Sequence, residues 1–275
     1  MHRRLAAAAL LLLAAPFARA AYSPATANGW FITAGRVAGI GGALFRTDVW
    51  LFNPDDSATA TVTLVLHPAV STGQSAAAPV ASDPIVLAPR ETRFFPDVTL
   101  ETVPAGDGVV GALEWQSATA IMAAARIYTF TPTGTFGFFL AGVPRSESMT
   151  AKSSADDDVH VLQMYGVNSG DANFRTNLDL ANTSGVTLPV EVRVIDPVTA
   201  LVYGGTQTYS LAPGSLVRVG QVLEAVGAPQ IEGLRITAAI AAGASVPSGG
   251  LLAAAYTADN RTQDAFAFVG QRQSP

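Results

Sequence analysis

The chain has 275 residues, of which 49% are hydrophobic and 13% charged, with 16 Lys and Arg against 21 Asp and Glu. This is the composition of a folded globular chain, and an acidic balance without a basic cluster argues against nucleic acid or anionic membrane surfaces as partners. With no cysteine, disulfides, thiolate zinc sites, thiol catalysis and a lipid-bearing cysteine are excluded.

Arg3 and Arg4, the apolar run from Leu5 to Pro16 and the small-x-small triplet Ala18-Arg19-Ala20 predict a signal peptide over residues 1–20. The apolar run is shorter than the roughly 20 residues a spanning helix needs, so no membrane span is predicted after cleavage. The mature chain is expected to be secreted or periplasmic, or associated with the cell surface.

Residues 21–142 read as a first β-sandwich unit. Gly39-Ile40-Gly41-Gly42 does not complete a dinucleotide fingerprint and precedes a strand, so it is a loop. From there the periodicity is two: Phe45, Thr47, Val49 and Leu51 alternate with Arg46, Asp48, Trp50 and Phe52. Asn53-Pro54-Asp55-Asp56 ends this strand in a turn, and Val62, Leu64 and Leu66 mark a second strand, making a hairpin. Further strands are predicted near 85–87, 109–115 and 121–130, with a short helical piece over 97–103. The stretch 143–158 is polar, carries the only lysine, Lys152, and reads as a solvated linker. Its Asp156-Asp157-Asp158 run lacks the spaced ligands and glycine of a calcium loop. No metal site is predicted.

Residues 159–275 repeat the pattern. Phe45-Arg46-Thr47-Asp48-Val49-Trp50-Leu51-Phe52-Asn53 returns as Phe174-Arg175-Thr176-Asn177-Leu178-Asp179-Leu180-Ala181-Asn182, with five of nine positions identical. Leu87-Ala88-Pro89 matches Leu211-Ala212-Pro213, Met122-Ala123-Ala124-Ala125 matches Leu252-Ala253-Ala254-Ala255, and Phe136-Gly137-Phe138 matches Phe266-Ala267-Phe268. A near-constant offset means duplication of a whole unit rather than a solenoid. Strands are predicted around Val190, Val192 and Val194 and near 206–211, 233–236 and 251–257, with a second helical piece over 221–226 that Gly227 can cap. The fold expected is all-β, two tandem antiparallel β-sandwich domains of immunoglobulin-like kind.

On Phe-Arg-Thr-Asp/Asn, Leu-Ala-Pro and the Ala255 to Asp264 segment (Ala-Tyr-Thr-Ala-Asp-Asn-Arg-Thr-Gln-Asp), the chain resembles a tandem β-sandwich repeat common in secreted proteins of environmental bacteria. The resemblance implies exported architecture and no catalytic signature. The first copy has Thr129-Phe130-Thr131-Pro132-Thr133 where the second has the Asp-Asn-Arg-Thr turn, so any role of that turn stays with the second copy.

Neither Gly-x-Ser-x-Gly nor Ser-x-x-Lys occurs, and His67 and His160 are read as structural or solvated. Glu114 beside Trp115 is the one suggestive carboxylate, and strand alternation places one of the two outward. No catalytic residue and no cofactor is predicted. Asn182-Thr183-Ser184 and Asn260-Arg261-Thr262 fit the glycosylation acceptor pattern but read as turns. Arg46 and Arg175 are read as paired surface groups, with anion binding the sharper alternative. The phase of the shared strand places Arg46, Asp48, Trp50 and Phe52 outward in the first copy, and these are the candidate binding residues. In the second copy it places Arg175, Asn177 and Asp179 outward on a solvated sheet. The function expected is a non-catalytic exported structural or interaction module, at the cell surface or in the periplasm, with a protein or glycan partner. A carbohydrate-binding module, with Trp50, Trp115 and Trp30 as platforms, is the alternative, and a cryptic hydrolase comes third. Protein recovered from its native host should begin at Ala21 on N-terminal sequencing, and retention of Met1 would count against the signal peptide.

Overall fold

The computed structural model describes residues 24–131, 134–168, 173–228 and 232–272, so the signal peptide read over 1–20 lies outside the described residues. The chain is all-β. Its first half runs β1 (Thr26–Ala38), β2 (Leu44–Phe52), β3 (Ala60–Val70), β4 (Val80–Ala81), β5 (Ile85–Leu87), β6 (Thr92–Phe95), the single-turn helix α1 (Val98–Glu101), β7 (Val109–Thr131), β8 (Gly134–Ala141) and β9 (Val143–Pro144). The second half runs β10 (Leu162–Val167), β11 (Phe174–Asn182), β12 (Leu188–Ile195), β13 (Val202–Leu211) and β14 (Leu216–Val219). It continues through α2 (Val222–Ala225), β15 (Leu234–Ile240), β16 (Leu251–Asp259), β17 (Ala265–Val269) and β18 (Gln271–Arg272). Among the described residues no helix is long and apolar enough to cross a membrane.

The pairing order recurs. In the first half β6-β2-β7-β8 is one antiparallel set and β5-β3-β7-β1-β9 the other. In the second half the corresponding orders are β14-β11-β16-β17 and β13-β12-β15-β10-β18. The sequence suggests separate strands at 109–115 and 121–130. Instead β7 is continuous and belongs to both sets, pairing with β3 up to Ser117, with β1 as far as Ile121, and with β2 from Met122 to Tyr128. One strand shared between two layers forces the sheet to curl, and the first half forms a large half-barrel. Its centre is Trp115, fully buried, and a Cβ on Gly29 would stand 2.2 Å from that ring and one on Gly142 2.5 Å. Only glycine permits the backbone of β1 and of the β8–β9 link to pass over the indole.

The recurrent sequence motif is a set of hydrogen-bonding positions. Asn53 is fully buried and its Nδ2 donates to the carbonyls of Ala58, Leu87 and Ala88 at 2.8, 3.3 and 3.1 Å. Asn182 repeats this with Val186, Leu211 and Ala212 at 2.7, 3.0 and 2.9 Å. Each ties the end of its strand to the Leu-Ala-Pro loop. Burial of Asn182 closes it to glycosylation. The Asp48 carboxylate accepts the N–H of Asp97 at 2.9 Å, and the Asn177 amide oxygen accepts that of Gln221 at 3.0 Å. Asp97 and Gln221 both have left-handed backbone, φ 42° and 48°, and lead into α1 and α2. An oxygen is all that position requires, so Asp and Asn interchange there.

The halves are packed together. The end of β3 pairs in parallel with β14 (Ala69 with Leu216, Val70 with Val217), continuing the first-half sheet into the second half. Ala181, Leu216, Leu252, Ala254 and Tyr256 belong to the apolar cluster of the first half. The expectation that Arg175, Asn177 and Asp179 lie on a solvated face is therefore corrected: Asp179 and Ala181 are fully buried because the first half covers that sheet. The polar stretch 143–158 is solvated only in part. Ser148, Met149 and Lys152 are buried, with Met149 bridged to Leu251 and Ala151 to Ile240, while 153–156 are exposed. Asp157 organises the exposed turn, accepting from Ser153 Oγ and from the backbone N–H groups of Ser153, Val159 and His160. The Ser153 hydroxyl and backbone bonds hold its carboxyl well below the usual carboxylate range.

Replacing Asn53 or Asn182 by Ala strands buried carbonyls, and each change should cost about 3 kcal/mol in denaturant unfolding. Asn53→Asp, which sets a carboxylate oxygen against the three carbonyls in place of the donor, should cost more than Asn53→Ala.

Candidate functional site

The outward face of β6-β2-β7-β8 carries the sequence-predicted residues. Trp50 is half-buried and sits directly opposite Phe94 on β6 and Ala124 on β7, and Ala124 faces Ala141 on β8. The small side chains leave room over the sheet, which large rings fill. Trp50 lies 4.9 Å from the Phe94 ring and 6.0 Å from that of Phe139, tilted by 31° and 38°. Phe94 is 47% exposed and Phe139 70%. Phe52, the next outward residue of β2, is half-buried. Tyr128 and Phe130 extend the face as an edge-to-face pair 5.2 Å apart, with the Arg126 guanidinium 4.6 Å from the Tyr128 ring and that of Arg46 5.3 Å from Phe130. Aromatic rings and arginines side by side are the composition of binding hot spots.

The other two predicted residues do structural work. Asp48 is buried, accepting from the Asp97 N–H and, at 3.3 Å, from the Tyr128 hydroxyl. Burial, and then the Asp48 charge, push the Tyr128 hydroxyl pKa up. Arg46 places Nε 3.8 Å from Asp97, whose other partner is Arg36. Phe94 and Phe139 escaped the sequence reading because only register brings them beside Trp50.

The other candidates move inward. Trp115 and Trp30 are buried, which removes them as exposed platforms, and Glu114, on the opposite face of β7 from Trp115, is buried as well, so neither of the two faces solvent. Glu114 Oε2 lies 3.1 Å from His67 Nε2 and accepts from Gln116 at 3.0 Å, while His67 packs 4.6 Å from Trp30. An amide and an indole around this pair supply no nucleophile. His160 lies against Asp157 at 2.7 Å.

A concavity of about 480 Å³ opens between the halves, walled by Phe45, Phe138 and Tyr256 with Thr33, Arg175 and Arg218 at its polar side. Both arginines are engaged. Arg218 donates to the Asp179 carboxylate at 2.7 and 2.5 Å and to Thr33 Oγ1 across the junction at 2.8 Å. Burial opposes the Arg218 cation, but Asp179 outweighs it and its pKa is raised. Arg175 donates to Asn260 at 2.5 Å and Gln263 at 3.0 Å, so the Asp-Asn-Arg-Thr-Gln turn of the second half holds it. Burial lowers the Arg175 pKa.

Neither a protein-family model nor a curated protein matches the chain.

Arg218→Met alone leaves the Asp179 charge buried and uncompensated, with an expected loss of about 3–5 kcal/mol in denaturant unfolding. The double change Asp179→Leu with Arg218→Met should cost less than that single change. Purely additive costs would show that the two charges are not coupled.

Proposed function

We propose that the chain is a non-catalytic, exported interaction module, formed by duplication of one antiparallel, immunoglobulin-like β-sandwich unit, that docks through the aromatic face of its first half. The observation that carries this reading is the exposed stack of Phe94 and Phe139 on Trp50. Large rings standing in water on a sheet face mark a contact surface. The matched hydrogen bonds of Asn53 and Asn182, and of Asp48 and Asn177, support the duplication. The signal-like N-terminus and the acidic, cysteine-free composition support action at the cell surface or in the periplasm. Tilted rings only 4.9 and 6.0 Å apart form one cluster rather than a row of separate sugar platforms, which favours a protein partner over a glycan.

The test is retention of the mature chain on cell envelopes and on a glycan array, for wild type and for the variant carrying both Phe94→Ala and Phe139→Ala. Loss of envelope retention by at least tenfold, with a nearly unchanged melting temperature and no glycan signal, is the expected result. Equal retention of both proteins would overturn the docking face. A glycan signal lost in the variant would instead establish a carbohydrate-binding module.

A further inference from the structure

The aromatic face has a counterpart in the second half, and that counterpart is occupied. Trp50 opposes Phe94 as Asp179 opposes Arg218, and Phe139 opposes Arg126 as Ala267 opposes Tyr256. On the second half this face carries Ala181, Leu216, Leu252, Ala254 and Tyr256, all covered by the first half. On the first half the positions equivalent to Asp179, Arg218 and Ala267 hold the rings Trp50, Phe94 and Phe139, of which Phe94 and Phe139 are exposed.

The strand end that joins the two halves edge to edge has a counterpart too. The connection after β3 reaches across the junction: Ala69 and Val70 pair with β14, Thr72 Oγ1 accepts the N–H of Ser210, and Gly73 donates to the Ser210 carbonyl, both at 2.9 Å. The equivalent connection of the second half is the β12–β13 hairpin. Its tip is a tight turn in which Asp196 Oδ1 accepts the N–H groups of Val198 and Thr199 at 2.8 and 3.1 Å. Val198 is 91% exposed and Leu201 55%. This apolar tip projects into solvent. Among the described residues, the outer edge of β6 carries no further strand, whereas the same edge of β14 is taken by β3.

We infer that copies of this chain associate head to tail, the 196–201 hairpin of one copy docking on the β6 edge and the Trp50, Phe94 and Phe139 face of the next. The contact repeats between copies the junction that joins the two halves within one. Exposed Tyr165, solvent-facing Arg193 and half-buried Arg235, on the outer side of β10, β12 and β15, would lie over the rings, where guanidinium groups and aromatics attract. Every copy has one free face and one free hairpin, so the contact is heterologous and extends into open chains unless the rotation closes a ring. The inference rests on the docking-face reading above and names its partner as a second copy.

Sedimentation equilibrium of the full mature chain from micromolar to near-millimolar concentration tests it. Wild type is expected to gain mass with concentration beyond the dimer. Phe139→Glu blocks the face and Val198→Glu blocks the hairpin; each alone should weaken self-association by at least tenfold, with an unchanged melting temperature because both side chains stand in solvent. An equimolar mixture of the two variants should form a dimer and stop there, since the intact hairpin of one fits the intact face of the other. A wild type that stays monomeric throughout overturns the assembly. So does a Val198→Glu protein that dimerises on its own, which would mean two aromatic faces meeting each other. If the wild type is monomeric yet Phe139→Glu loses envelope retention, the docking face stands and only the self-partner falls. If envelope retention is also unchanged, both fall.

Discussion

Two buried carboxamides hold this architecture together. Asn53 and Asn182 each present two amide hydrogens to three backbone carbonyls, so one hydrogen is shared, and their Oδ1 atoms accept the N–H of Asp55 and of Ser184. A turn and a distant loop are thereby fixed to the end of one strand. In apolar surroundings a bond of this kind cannot be exchanged for water, and leaving those carbonyls unsatisfied would cost more than the bonds contribute. The loop so pinned feeds β6 or β14, and that strand leads to the left-handed residue held by Asp48 or Asn177. The spacing that both halves keep, from Asp48 to Asn53 and from Asn177 to Asn182, serves this chain of bonds.

That logic explains what was legible in the sequence. Strand β2 and its counterpart β11 announce themselves because each has a core face and an opposite face of different composition, and period two survives. β1 and β10 do not. Residues 29–35 of β1 are buried on both sides, one against the half-barrel interior and one against the second half, so Trp30-Phe31-Ile32 shows no alternation. Two-sided burial erases the signal. Polar residues misled for a related reason. Asp179 reads as solvent-facing, yet it is fully buried with Arg218 as its bidentate partner, and nothing local in the sequence reveals that another sheet supplies the cover.

The candidate site was half legible. Strand phase is enough to turn Trp50 outward, since Val49 and Leu51 on either side of it point into the core. Phe94 and Phe139 lie 44 and 89 residues further on, and only the pairing of β2 with β6 and of β7 with β8 brings their rings against the indole. Asp48 and Arg46 were credited with binding because they share that face. Their side chains are drawn instead toward Asp97, because a buried left-handed turn needs an acceptor and its carboxylate needs cations.

If the aromatic face docks as proposed, the two faces differ in when each is buried. The face between the halves closes during folding of one chain, with no loss of translational freedom, so it has no need of large gains and uses an ion pair and a threonine hydroxyl to set registry. A face that closes on a separate molecule must first offset the entropy of association, and it does so only with groups that bury much area at little conformational cost. Trp50, Phe94 and Phe139 are such groups, each with few side-chain torsions and already stacked before any partner arrives. Placing the same ion pair on the outer face would gain little, because exposed charges are screened. Placing the three rings at the inner junction would overfill a space now floored by alanines at 181, 254 and 267. The substitutions that separate the two copies of the strand are therefore those expected when one face packs in cis and the other waits for contact in trans.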